Sequence, residues 1–255
     1  MTGATSAITF DAATTTLSLY GLDIAQAGTT TMGTNAADSL TITNTFTLTS
    51  GTFRCINDTT FACNTTFTWT AGNFEHGTTN ANNSTTNDFP ALTIPAGSTM
   101  RFEAAAGFVL NFNGDVTVEG TFDFDADVVG PNFYGSLTLN VGYAINNQAS
   151  TTFNMVGAGN EPIGGTDGSY TFQNLTINKS VAGDVITVEA ADTITVTAAL
   201  VATTGKLELG GATSCADCTV ATTGEIDLKA ETLTISDDLI SSTAGGAGDC
   251  VISDT

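Results

Sequence analysis

The stretch VATTGKLELGG, from Val201, returns 19 residues later as VATTGEIDLKA, from Val220. A catalytic motif is written once, because a reaction needs one site. Near-copies at a short fixed spacing mark a structural unit that is stacked. A second pair says the same: TFTLTSGTF, from Thr45, returns as TFTWTAGNF, from Thr66, 21 residues on.

Below these echoes lies an apolar–polar–apolar triplet. It recurs as Leu17-Ser18-Leu19, Leu40-Thr41-Ile42, Phe46-Thr47-Leu48, Phe67-Thr68-Trp69, Leu92-Thr93-Ile94, Val116-Thr117-Val118, Leu137-Thr138-Leu139, Leu175-Thr176-Ile177 and Leu233-Thr234-Ile235, among others. Alternation with period two puts the flanking residues on one face of a strand and the middle residue on the other. β-Branched and aromatic residues suit such a half-buried pleated surface, and Gly, Asn and Asp clusters supply the turns between. No amphipathic helix competes. Leu110, Val116 and Phe122 open triplets six apart, so three short faces make up one turn of about 19–21 residues. The expectation is an all-β parallel β-solenoid, each coil hydrogen-bonded to the next around a continuous core. The alternative is a β-sandwich with strand exchange between subunits, which stretches such as SLTITNTFTLTSGTF would also supply. Residues 1–105 read as a β-rich region with an Asn/Thr-rich loop at 75–90, and residues 106–255 as the solenoid repeats. One continuous domain would accommodate both.

Composition narrows the chemistry. Only 12% of residues are charged, about half the usual share, and Thr is the commonest residue at 50 copies. The surface is therefore wetted by hydroxyls and amides rather than by ions. Five Lys and Arg stand against 26 Asp and Glu, a net charge of −21. Such a surface repels nucleic acid and anionic membranes. No apolar run approaches the roughly 18 residues of a membrane span. The start, MTGATSAITF, lacks the basic and apolar regions of a signal peptide; a removed leader or an excerpt of a longer protein is the expectation. Both ends read as uncapped strand.

The segment TFNMVGAGNEPIGG…YTFQNLTINKS…DTITVTAALVATTGKLELGG, within 152–211, resembles the Thr/Gly-rich β-solenoid repeat regions of secreted bacterial cell-surface proteins, adhesin-like or fibre-forming. That resemblance implies a cell-surface structural role. The segment from Cys55 to Pro90 departs from the pattern.

Several residues invite chemistry. Cys55 and Cys63 bracket a short loop and Cys215-Ala216-Asp217-Cys218 is a C-x-x-C, so both pairs are disulfide candidates, with Cys250 left over. Disulfides would place the protein outside the cytoplasm. A zinc site needs further soft ligands, and only Cys250 and the distant His76 remain. Asp123, Asp125 and Asp127 fall on one strand face, where mutual repulsion would be relieved by Ca²⁺. Thr47/Thr49 and Thr68/Thr70 resemble the start of a flat hydroxyl array, but the next offset of 21 misses. Asn57, Asn64, Asn82, Asn83, Asn174 and Asn178 open glycosylation sequons, a number that chance supplies in so Asn- and Thr-rich a chain.

Catalysis has little to stand on. His76 is the one histidine, and neither a nucleophile elbow nor a phosphate loop is present. A carbohydrate-active enzyme would need paired acids and aromatic platforms, for which Trp69, Tyr134, Tyr143 and Tyr170 are the candidates. The sequence therefore points to an extracellular structural subunit that pairs with copies of itself into a filament, sheath or surface layer. The alternative is the stalk or glycan-binding module of an adhesin, with the loop at 75–88 as its reader.

Overall fold

The computed structural model describes residues 5–8, 16–33, 38–55, 59–77, 86–103, 109–125, 129–146, 151–242 and 251–253. Among them there is no helix, and every strand pairing is parallel. The strands stack as the coils of a β-solenoid with three faces, A, B and C, visited in turn. Thr60–Cys63, Thr86–Phe89 and Val109–Phe112 succeed one another on face A. Leu92–Ile94, Val116–Val118 and Leu137–Leu139 do so on face B. Asn73–Gly77, Thr99–Glu103 and Thr121–Asp125 do so on face C. Four long strands, Thr16–Met32, Ser39–Cys55, Thr193–Glu208 and Thr213–Asp227, bend around corners and serve all three faces. Among the described residues no sandwich of opposed sheets forms. All three faces run across position 105 without a break in pairing.

The coils are less uniform than the echoes suggest. Leu40 pairs with Phe61, 21 residues on, but Leu200 pairs with Cys218, 18 on, and Phe74 with Met100, 26 on. The faces keep three to five residues and the corners absorb the difference. The tight coils are those that echo each other in sequence, which is why the expected 19–21 is too narrow.

Each triplet turns its flanking residues inward. Phe89, Phe112 and Phe133 form one column on face A, stacked at 5.3 and 5.2 Å with interplanar angles of 23° and 13°, and Phe153, two positions before the Met155 that stands over Phe133, stacks diagonally on Phe133 at 5.6 Å and 14°. Offset-stacked rings of this kind gain about 0.5–1.5 kcal/mol beyond their burial. Phe102 and Phe124 repeat the device on face C at 6.0 Å. All 15 phenylalanines precede position 173. Beyond it the core is aliphatic, built from Ile177, Ile186, Val188, Ile194, Val196, Leu200, Leu207 and Ile226, all buried. A thinner core goes with shorter steps, 18 residues from Leu200 to Cys218 and 19 from Leu207 to Ile226.

Two glycine pairs explain the sequence echoes. Gly205 and Gly224 lie directly over one another. Gly205 has φ +86°, and a Cβ on Gly224 would strike the Ala202 carbonyl. Gly51 (φ +74°) and Gly72 (φ +93°) occupy a corner where a Cβ on Gly72 would strike the Gly51 carbonyl. Only glycine tolerates both the left-handed backbone and the close approach.

Phe112 is fully buried between two stacked rings. Phe112→Ala is expected to cost about 3–5 kcal/mol, read as a lowered urea midpoint, because the stack above and below cannot collapse into the void.

Candidate functional site

The outward middle residues of the triplets form ladders, and these are the surface the protein offers. On face A, Asn111 donates from Nδ2 to Asp88 Oδ1 at 3.0 Å, Asn132 to Asn111 Oδ1 at 3.0 Å, and Asn154 to Asn132 Oδ1 at 3.1 Å. On face C, Arg54, Glu75, Arg101 and Asp123 lie one above another. Arg54 meets Glu75 at 3.5 Å and Glu103 at 3.2 Å, and Arg101 meets Glu103 at 3.2 Å and Asp123 at 3.3 Å. On face B, Thr47 sits over Thr68, and Thr93, Thr117 and Thr138 continue the same outward position. The hydroxyl column that an offset of 21 misses is taken up again from Thr93, beyond a step that no ladder bridges.

All five cations are committed within the chain. Lys206 reaches Glu208 at 3.0 Å and Asp227 at 3.4 Å, and Lys229 reaches Asp227 at 3.4 Å and Glu208 at 3.6 Å. Lys179 is buried and donates from Nζ to the Val156 carbonyl at 2.9 Å; burial holds its ammonium below the usual lysine range. The Asp123 carboxylate, expected to share a Ca²⁺ ion, is spent on Arg101. The side chains of Asp125 and Asp127 lie outside the described residues. A different acidic group does gather: Asp217, Asp237 and Asp238 bring carboxylate oxygens within 4.8 Å of one another. The 21-residue step from Cys218 to Leu239 places Asp217 beside Asp238, whose backbone N–H donates to Asp217 Oδ1 at 3.3 Å.

Cys55, Cys63, Cys215 and Cys218 are buried and in thiol form, and no disulfide forms among the described residues. The 55–63 spacing misleads because the two side chains enter different columns. Cys55 stacks between Met32 and His76 on face C, while Cys63 stacks on Ile42 on face A and donates to the Thr66 carbonyl at 3.3 Å. Burial pushes both thiols up, Cys55 furthest. Cys215 and Cys218 close the ends of faces C and A across one corner, and the hydrogen bond from Cys218 holds Cys215 below the usual thiol range against its burial. Cys250 lies outside the described residues.

His76 points inward, not toward a ligand. Its ring lies 6.4 Å from Phe102, and Nε2 meets the Thr59 carbonyl at 2.6 Å. Asn87, also fully buried, accepts from the Phe61 N–H at 2.7 Å and faces the same imidazole. Burial lowers the His76 pKa to about 4.

The sequon residues divide. Asn64 and Asn178 are exposed. Asn174 is half-buried with Nδ2 on the Thr151 carbonyl at 3.0 Å and Oδ1 taking the Ala199 N–H at 3.2 Å. Asn57, Asn82 and Asn83 lie outside the described residues. Of the aromatic platforms, Tyr170 is buried and donates to Asp192 at 2.7 Å. Tyr143 is half-buried, its hydroxyl on the Ser169 carbonyl at 3.1 Å. Tyr134 is exposed at a corner.

Trp69 belongs to the one interruption of face B. Among the described residues every neighbouring pair of strands on this face is joined by a ladder except Thr66–Trp69 and Leu92–Ile94. Pro90 and Pro95 flank the three-residue strand Leu92–Ile94, and proline brings no N–H to a ladder. A trough of about 420 Å³ opens there, lined by Phe67, Thr68, Trp69, Leu92, Thr93, Asp115 and Thr117 among others.

No protein-family model, no curated protein and no solved structure matches the chain.

Burial of His76 has a pH signature. The unfolded chain takes up this proton near pH 6.5, the folded one only near pH 4. Stability is therefore full above pH 6.5 and falls by about 3 kcal/mol as the pH drops to 4. Urea midpoints across that window are expected to show this loss in the native chain. In His76→Phe the corresponding part of the slope should vanish, leaving only what the carboxylates contribute to both.

Proposed function

We propose that this chain is an extracellular structural subunit that stacks end to end with copies of itself into a filament, sheath or surface layer. The observation that carries the reading is a contrast along one core. In the middle coils the inward columns are sealed, with Phe89, Phe112, Phe133 and Phe153 at 0% exposure. In the outermost described coils the same columns open. Leu233 and Ile235 are only partly buried and Leu239 is 54% exposed; at the other extreme Ile8, Leu17, Leu19 and Leu22 are partly buried. A further coil on either side would bury these side chains and pair the strand edges beneath them.

A neighbouring copy supplies such a coil with matching chemistry, since both extremes present leucine and isoleucine at inward positions. The contact is heterologous and does not close, so it propagates. The outer faces suit a durable fibre in an external medium. They are rich in hydroxyls, their few cations are paired, and the net charge of −21 keeps separate fibres from coalescing. The resemblance of 152–211 to bacterial cell-surface repeats agrees with this setting. Among the described residues no helix is long and apolar enough to cross a membrane.

Negative-stain electron microscopy of the purified chain at physiological salt tests the proposal. Filaments one solenoid wide are expected, and Leu239→Asp should abolish them while leaving the β-sheet circular dichroism unchanged, because the substitution touches the outer coil alone. Dispersed particles at every protein concentration would contradict self-assembly.

A further inference from the structure

The corner between Cys215 and Cys218 carries a second inference, independent of assembly. We infer that it is an oxidation site: hydrogen peroxide converts the Cys215 thiol to a sulfenic acid, and Cys218 resolves that acid to a disulfide within the same corner.

Three observations meet at this corner. The two thiols touch: Cys215 ends its run of face C over Val196, Cys218 opens face A over Leu200, and the Cys218 thiol donates a hydrogen bond to Cys215 across the turn between them. Cys215 is the least sealed of the described thiols, 4% exposed where Cys55, Cys63 and Cys218 are at 0%, 1% and 0%. A trough of about 250 Å³ reaches it from the outer face, where the neighbouring side chains are small. Ser214 stands between Thr195 and Thr234, and Ala216 follows at the corner. The inward column above Cys215 is itself loosely closed, since its next member, Ile235, is only partly buried. End-to-end stacking leaves the outer face, and so this entry, uncovered.

The surroundings select the chemistry. A structural zinc ion needs four ligands, and among the described residues no third ligand gathers at the two thiols, since Asp217 draws together with Asp237 and Asp238 instead. A nucleophilic thiol reacts as its thiolate, and the Cys218 hydrogen bond favours that form at Cys215 against burial and the nearby Asp217. The Cys215 sulfur attacks one peroxide oxygen; the S–O bond forms as the O–O bond breaks, and the other oxygen leaves as water. The Cys218 sulfur then attacks the sulfenic sulfur. The S–S bond forms as the S–O bond breaks, and the departing hydroxide takes the Cys218 proton. Both thiols are thereby oxidised, and one peroxide is reduced to two waters. Hydrogen peroxide is small and uncharged, so a narrow entry beside Asp217 admits it. Cys55 and Cys63 cannot pair in the same way, because they enter columns on different faces. The closed loop spans only 215–218, so the bond constrains the unfolded chain little and records oxidation rather than stapling the coil.

Trypsin, cutting after Lys206 and Lys229, isolates both cysteines on one peptide, 207–229. The experiment exposes the intact folded chain to dilute hydrogen peroxide, unfolds it, blocks the remaining thiols with iodoacetamide and weighs the tryptic peptides. Peptide 207–229 is expected to lose two hydrogens and both alkylation sites before Cys55 or Cys63 is oxidised, and to regain both sites in dithiothreitol. In Cys218→Ser the sulfenic acid should persist and be trapped on Cys215 by dimedone. In Cys215→Ser, Cys218 should stay a thiol, because peroxide does not reach it. Each variant is checked for unchanged circular dichroism. A 207–229 peptide that keeps both thiols, earlier oxidation at Cys55 or Cys63, a disulfide from Cys215 or Cys218 to Cys250, or a dimedone adduct on Cys218 in Cys215→Ser would overturn the assignment. None of these results depends on whether filaments form.

Discussion

A parallel, in-register stack imposes one condition from which the rest of this molecule follows. Within a ladder each residue has its counterpart about 4.8 Å away in the neighbouring coil. Whatever a coil presents is presented again, so like meets like. For an inward phenylalanine the condition is favourable, and Phe89, Phe112 and Phe133 become a column of stacked rings. For an outward charge it is costly, because the same sign would recur at close range. The low charge content, the threonine-rich outer faces and the self-complementary asparagines are the ways in which this sequence meets the condition.

On two columns charge alternates, whereas Glu208 stands over Asp227 with Lys206 and Lys229 paired to both. Arg54, Glu75, Arg101 and Asp123 exchange sign at each coil, and Lys206 lies over Glu225 in the two near-copies that first suggest stacking. Exposed ion pairs are individually weak, about 0–1 kcal/mol. Their value here is as register marks, since a slip of one coil would place Arg54 against Arg101 or Glu75 against Asp123. The asparagine ladder works differently. An amide both donates and accepts, so Asn111, Asn132 and Asn154 can repeat without conflict. Its lowest member is Asp88, which only accepts and so terminates the chain of donors downward.

The architecture was legible in the sequence because the inward signal is local. An apolar–Thr–apolar triplet announces a strand and its face without knowledge of its neighbours. The outward ladders were illegible because they depend on coil length. Thr68 to Thr93 and Glu75 to Arg101 are separated by corners that no period of 19–21 anticipates. The cysteine spacing misled for a related reason: Cys55 and Cys63 are near in sequence but belong to columns on different faces. The sequence offers Asp123 as a cation ligand, and it gives no sign that Arg101, 22 residues earlier, lies beside it. The trough beside Trp69 had a faint sequence signal, the two prolines around Leu92–Ile94, whose meaning needs the stack to be seen.

The account's central claim is that each coil is held by the two that flank it, so that order is greatest in the middle of the stack. Amide hydrogen exchange resolved along the chain tests it most directly. Protection should be strongest over the strands of 109–125 and 152–178, falling toward the outermost coils, with local dips where a ladder is missing, at Thr66–Trp69 and Leu92–Ile94 on face B and at Ala144–Asn146 and Ser169–Phe172 on face C. A central coil that exchanges as fast as the outer ones, while coils on both sides of it stay protected, would contradict it.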